Sequence, residues 1–281
     1  MKIITQKDTE LFIYKNKVIE TDRKDNKIFD SVLPIYAGSG IHYLIDHMKV
    51  KKNSTVLDLC SGSGVLGIYS SDNASKVVLS DISSKAIDFS KRNAYRNGLT
   101  NIEFRKGDLF NTVKNEKFDY ILTNPPFVPV PKNIKAALHS NGGIDGFYLV
   151  KKIFDSINNH LKPNGKMYMY TLSLGDSKTS LLEEYIKSNF KKGRFKLTSM
   201  YSKPLPLEVF FKDFKKYNIK QWKSSLEKES YTHLYSYIIE FENISKPLIV
   251  KKSVIKKEER KTYPDNWKNW KSRFSYWILD K

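Results

Sequence analysis

Between residues 55 and 172 the chain alternates short apolar runs with amphipathic stretches, and this alternation constrains the fold more than any other feature. "TVLDL" (55–59), "KVVLSD" (76–81), "NIEFRKGD" (101–108), "KFDYILTN" (117–124) and "KMYMYTL" (166–172) read as strands. Helices are predicted at "GVLGIYSS" (64–71), at 83–97 with Ser83 or Ser84 as N-cap, and at 146–161, stopped by Pro163 and Gly165. Strands separated by helices require right-handed crossovers, hence a parallel sheet with both faces covered. Runs such as "VVL" and "YIL" suit strands buried on both sides. The expected class is α/β, doubly wound.

Flanking this core, "ELFIYKNKVIE" (10–20) reads as a hairpin around Lys-Asn-Lys, and residues 40–50 carry helical spacing. After 180 the pattern predicts a helix, a strand at 195–202, a helix at 206–228 and a strand at 232–243. The expected organisation is an N-terminal extension (1–50), a catalytic domain (51–250) with cap elements after about 175, and a basic aromatic tail (251–281). A cap near a pocket mouth is expected from 203–241.

The chain of 281 residues can bury a sizeable core and carries no apolar run of membrane-spanning length. "MKIITQKDTE" lacks an apolar signal region, and Cys60 is the only cysteine, so a reducing, cytoplasmic setting is expected. The net charge of +19 is uneven: 23 basic against 10 acidic residues fall in 185–281, and 26 against 20 before it. Two readings of this basic third stay open: a weak polyanion contact, with Trp267, Trp270, Tyr276 and Trp277 interleaved among its cations, or rings packed onto the core while the lysines face water. Lysine supplies 42 of the 49 basic residues, and lysine lacks the bidentate fork that reads bases and phosphates.

The loop in "VLDLCSGSGVLG" (56–67) joins a strand to a helix, and Gly62, Gly64 and Gly67 satisfy a dinucleotide-type G-x-G-x-x-G. Asp81, closing the next strand, suits ribose hydroxyls in either a nicotinamide or an adenosyl cofactor. Asp58 separates the two, because a pyrophosphate against this loop would be repelled by a carboxylate just before the turn. A cofactor carrying an ammonium and a sulfonium is attracted to it. Asp108 ends the third strand, where a carboxylate can accept from an adenine amine between apolar neighbours. Three carboxylates on successive strand tips favour S-adenosylmethionine; a nicotinamide-dependent oxidoreductase is the weaker alternative.

"ILTNPPFVPVP" (121–131) ends a buried strand on a doubled proline, which stiffens the frame around Asn124. Together, "VLDLCSGSG", "LSDISSKAIDFSKRNAYRNGL", "GDLF", "NPPF" and "NGGIDGFYLVKKIFDSINNHLKPNGKMYM" resemble, in order, the motifs of class I S-adenosylmethionine-dependent methyltransferases. The resemblance is to the HemK-like, small-domain N-methyltransferases, and it covers about 32–175. It implies a Rossmann-like, mostly parallel seven-stranded sheet and a cofactor held by Asp58, Cys60, Gly62, Gly64, Asp81, Ile82, Asp108, Leu109 and Asn124. It further implies that the Asn124 amide oxygen and the Pro125 carbonyl grip an –NH2 while Phe127 stacks on a flat substrate. Tyr36, Pro126, His139, Asn141 and Asp145 complete the expected substrate wall, and no metal is expected. Cys60 stands where the family has a glycine, and "LPIYAGSGIHY" (33–43) where release-factor enzymes have Pro-Arg-Pro-Glu-Thr-Glu. The implied reaction is methyl transfer to a planar amine or amide nitrogen of a small molecule, peptide or protein; the alternative acceptor is an RNA base.

Overall fold

The computed structural model describes residues 2–23, 29–33, 40–255 and 279. Tyr36 and the aromatic tail positions 267–277 lie outside them.

At the N-terminus, β1 (Lys2–Thr5), β2 (Thr9–Tyr14) and β3 (Lys17–Asp22) form an antiparallel sheet, one strand more than the expected hairpin. Lys15 and Asn16 both have positive φ (42° and 61°), the geometry a tight two-residue hairpin turn requires. Asn93 of α3 (Ser84–Arg96) and Asn97, the residue that caps its C-terminus, dock this sheet. Asn97 bonds both the N–H and the carbonyl of Val18, and Asn93 does the same for Glu20, at 2.8–3.0 Å. Side-chain amides thus stand in for a missing neighbouring strand.

The main sheet contains β4 (Ser54–Leu59), β5 (Ala74–Asp81), β6 (Ile102–Lys106), β7 (Phe118–Thr123), β8 (Leu161–Gly175), β9 (Lys192–Ser199), β10 (Leu205–Pro206), β11 (His233–Pro247) and β12 (Ile249–Val254). Its order is β12-β9-β11-β8-β7-β4-β5-β6, with β10 paired to β11. Only β11, antiparallel to its neighbours β8, β9 and β10, breaks the parallel pattern. The seven expected strands are all present. β12 extends the sheet beyond them, so the boundary expected at 251 falls inside a strand.

Helices α1 (Gly40–His47), α2 (Val65–Ser70), α3, α4 (Tyr148–His160) and α5 (Leu181–Asn189) cover the sheet. Alternate residues of β5 divide between two cores: Val78 joins the cluster with Ile121 and Met167, while Val77 and Leu79 join that with Val56 and Leu122. All are fully buried, as a strand sandwiched by helices demands.

Two expectations fail locally. Pro163 and Gly165 do not separate helix from strand: α4 ends at His160, β8 starts at Leu161, and a register shift against β7 absorbs the irregular residues. The helix expected over 206–228 is broken into α6 (Leu207–Phe210), a 3-10 turn (Phe211–Phe214) and α7 (Lys220–Lys228). Trp222 packs at 5.5 Å from Phe211 and 5.2 Å from Phe214. A continuous helix would spread these rings over about 12–17 Å, so the segment folds back to bring them together. The cap expected over 203–241 shrinks accordingly, because β11 is an interior strand of the sheet.

Candidate active site

A cavity of about 310 Å³ opens at the carboxyl ends of β4, β5 and β7. This is where open α/β sheets bind ligands. The β4–α2 loop forms its floor. Gly64 has φ +78°, and a Cβ there would lie 2.8 Å from the Leu79 side chain, so only glycine permits this approach. Cys60, the residue in place of the family's glycine, also sits at positive φ (57°).

The three expected carboxylates line this cavity with different attachments. Asp58 is 1% exposed and accepts from the Gly67 N–H at 2.8 Å; burial pushes its carboxyl well up, opposed by that bond and reinforced by Asp81. Burial also raises Asp81, against hydrogen bonds from backbone N–H groups that favour its charge. Asp108 is exposed, and Leu109 after it turns at φ +44°. Half-buried Cys60 has its thiol pushed well up, first by desolvation and then by the nearby Asp81, Asp58 and Asp108, and is held neutral. Ile82 is 53% exposed on the cavity wall, an apolar surface open to a ring.

Asn124 and Pro126 line the same cavity. The Asn124 Oδ1 atom is buried and has no hydrogen-bond partner among the described residues. Beyond it, Val128–Val130 pairs in parallel with 140–143: Val128 N donates to Ser140 O, Gly142 N to Val128 O and Val130 N to Gly143 O, at 2.8–2.9 Å. The Gly-Gly-x-Asp-Gly segment is therefore the backing of the NPPF loop. A Cβ on Gly146 would lie 2.4 Å from the Phe127 carbonyl oxygen.

The remaining candidates separate. His139 and Asn141 line the cavity, and burial holds the His139 imidazole neutral, down at about 4. Asn141 accepts from Gly143 N. Asp145 is not among the lining residues; its carboxylate accepts from Phe147 N at 2.9 Å at the start of α4. Phe127 does not present a stacking face to the cavity. It is 9% exposed and packs edge-on against Tyr170 at 5.0 Å, and Pro125 is buried behind it.

Three cavity features escaped the sequence reading. Ser61 Oγ, in the glycine loop, is buried without a partner among the described residues, and a hydroxyl inside such a loop was the available signal. Asp30–Leu33 form a wall, tied on by Leu138 N donating to Phe29 O at 2.7 Å. Tyr148 and Lys152 stand on α4 with the ammonium 4.7 Å from the ring centre.

Comparisons with known proteins identify the family. Residues 37–198, more than half of the chain, match the family described as the methyltransferase small domain. The ribosomal protein uL3 glutamine methyltransferase of Bradyrhizobium diazoefficiens is 37% identical over 134 residues, 43% of this chain and 41% of that protein. The release factor glutamine methyltransferase of Thermodesulfovibrio yellowstonii is 30% identical over 142 residues, 46% of this chain and 51% of that one. The chain thus spans about half the length of these curated relatives. TYW2 of M. jannaschii, solved in complex with AdoMet, shares the fold at a TM-score of 0.51 and 15% identity, covering 86% of this chain and 90% of that one. The chain belongs to the methyltransferase small domain family, within the class I S-adenosylmethionine-dependent methyltransferases its motif series resembles.

Proposed function

We propose that this chain transfers the methyl group of S-adenosylmethionine to the amide nitrogen of a glutamine side chain in a protein, in the cytoplasm. The observation that carries this reading is the buried Asn124 Oδ1, without a hydrogen-bond partner among the described residues, in a cavity lined by carboxylates. An unmet buried acceptor costs about 1–3 kcal/mol, and a substrate N–H removes that cost.

The residues present fit the cofactor. Asp81 offers a carboxylate for ribose hydroxyls, Asp108 and Ile82 an acceptor and an apolar wall for adenine, and Asp58 with Ser61 suits an ammonium and its neighbours. When bound, S-adenosylmethionine supplies an electrophilic methyl on a positive sulfur. The chain's own contribution is placement. Asn124 Oδ1 accepts one amide N–H and so turns the nitrogen's lone pair toward the methyl, and orientation of this kind is worth roughly 7–11 kcal/mol at best. A neutral His139 adds no cation to the cavity.

Glutamine as acceptor is supported by the two relatives, whose names specify glutamine. The test is incubation with methyl-labelled cofactor and a glutamine peptide, its glutamate counterpart and an RNA oligomer. Label in the glutamine peptide alone is expected. Label in RNA, or none together with no cofactor binding, overturns the reading.

A further inference from the structure

We propose that a second groove, at the far end of the ribbon that carries Asn124, binds an acidic segment of the same polypeptide whose glutamine is methylated. This rests on the glutamine reading above and names where such a substrate docks.

The ribbon gives the groove its relation to the chemistry. Val128 pairs in parallel with Asn141, so residues 126 and 139 share one end of the ribbon, and 131 and 144 the other. At the first end Pro126 and His139 line the candidate active site. At the second, Pro131 and Ile144 line a separate cavity of about 550 Å³ together with Lys132, Asn218, Lys220 and Gln221. Five residues of extended chain separate the two ends, about 16 Å. A bound polypeptide reaches from one to the other with five to six residues on the same estimate.

The groove is built, not incidental. Trp222 Nε1 donates to Ile144 O at 2.9 Å and Asn133 Nδ2 donates to Asn218 O at 3.0 Å, which locks the wall contributed by 218–225 onto the far end of the ribbon. That wall lies outside residues 37–198, so it is an addition of this chain to the matched core.

Charge selects the occupant. Lys132 and Lys220 are exposed, neither has an ion-pair partner among the described residues, and no carboxylate lines the groove. Nearby acids are engaged: Glu208 lies 3.6 Å from Lys223, and Asp145 holds Phe147 N. Carboxylates on a ligand therefore meet two free ammonium groups, and the Gln221 amide suits a peptide backbone. Nucleic acid fits less well. Trp222 is 6% exposed, its ring packed among phenylalanines, so it offers no platform for a base.

The experiment uses the full chain with saturating S-adenosylmethionine and two fluorescent peptides. Each carries one glutamine, flanked about six residues away on either side by paired glutamates in one peptide and paired serines in the other. Anisotropy is expected to show the acidic peptide binding on the order of threefold to tenfold tighter, a preference that fades with salt. The double variant Lys132→Glu with Lys220→Glu should lose the preference and keep its cofactor affinity. Equal binding of the two peptides, or a preference that survives the reversal, overturns the proposal. So does a single-stranded RNA that outcompetes the acidic peptide and depends on the same lysines. Methyl transfer is read separately: acid-selective binding without methylation of either peptide refutes the glutamine assignment, and methylation without acid selectivity refutes the groove.

Discussion

The Gly62 N–H donates to Asp81 Oδ2 at 2.9 Å, while the other carboxylate oxygen accepts from Ser83 N at 2.9 Å. One side chain therefore ties the glycine loop to the start of α3 at the cavity wall. Asp81→Ala should weaken S-adenosylmethionine binding by about 1.5–3 kcal/mol, as expected for a hydrogen bond to a charged group. It should also lower thermal stability, which loss of a ligand contact alone would not do. Calorimetric titration and a melting curve on the same variant check both. Unchanged cofactor affinity would remove Asp81 from the binding site.

The raised carboxyls of Asp58 and Asp81 make cofactor binding depend on pH. Burial lifts both above the ordinary value of 3.8. A carboxyl raised in the folded state contributes stability below its unfolded pKa and loses it as pH rises through the folded value. A bound cation favours the ionised form and reverses that loss. The thermal shift produced by S-adenosylmethionine should therefore grow as pH rises from about 4 toward neutrality, with protons released on binding. His139, held at about 4, does not titrate in the upper part of that window. Calorimetry in buffers of different ionisation heat measures the release. A thermal shift flat with pH, and no proton release, would mean that these carboxylates do not face the cofactor's charge.

The carboxylate tips were legible in the sequence because strand periodicity and motif order place Asp58, Asp81 and Asp108 without knowledge of packing. Side-chain direction was less so. Phe127 sits in a motif that suggests a stacking ring, but Tyr170 on β8 meets it edge-on and takes it into the core. Asp145 read as a pocket residue, yet it lies two positions before the N–H it satisfies, a local bond that competes with any ligand role. The spacing of Phe210, Phe211, Phe214 and Trp222 was compatible with one helix, and only three-dimensional ring contacts decided for a fold-back. Asp30–Leu33 reach the cavity through a backbone bond between residues 109 positions apart, Phe29 and Leu138, which leaves no periodic trace.

Gly146 offers a matched test of the backing behind NPPF. Its φ is +75°, and a Cβ there would stand 2.4 Å from the Phe127 carbonyl oxygen and 3.0 Å from Pro129. Gly98, at the end of α3, has a similar φ of +65° but open space around it. Gly98→Ala should cost only the left-handed backbone penalty, about 1–2 kcal/mol. Gly146→Ala adds a clash with backbone that cannot swing away, so its loss in denaturant unfolding should exceed that of Gly98→Ala by about 1 kcal/mol or more. Turnover per folded molecule should fall for Gly146→Ala alone, because the displaced loop carries Asn124. Equal losses for the two variants would show that the ribbon yields freely and does not fix the site.

Asn124 itself separates function from stability. Its Oδ1 is buried with no partner among the described residues, so the folded protein carries an unmet acceptor in the absence of substrate. Asn124→Ala removes that atom, and its thermal midpoint should hold or rise despite the lost side chain. Cofactor affinity should change little. Turnover on the true acceptor should drop at least about a hundredfold, close to 3 kcal/mol, because the lost contact orients the nitrogen in the transition state. Asn124→Asp keeps the shape and an acceptor but adds a negative charge facing the sulfonium. Ground-state cofactor binding should then tighten while transfer slows, since that attraction fades as the sulfur's charge disperses. A variant set in which Asn124→Ala melts several degrees lower and still turns over within about threefold of the unmodified protein would reduce the motif to a strand terminator. The opposite pattern, stable and inactive, is the signature of an acceptor kept open for substrate.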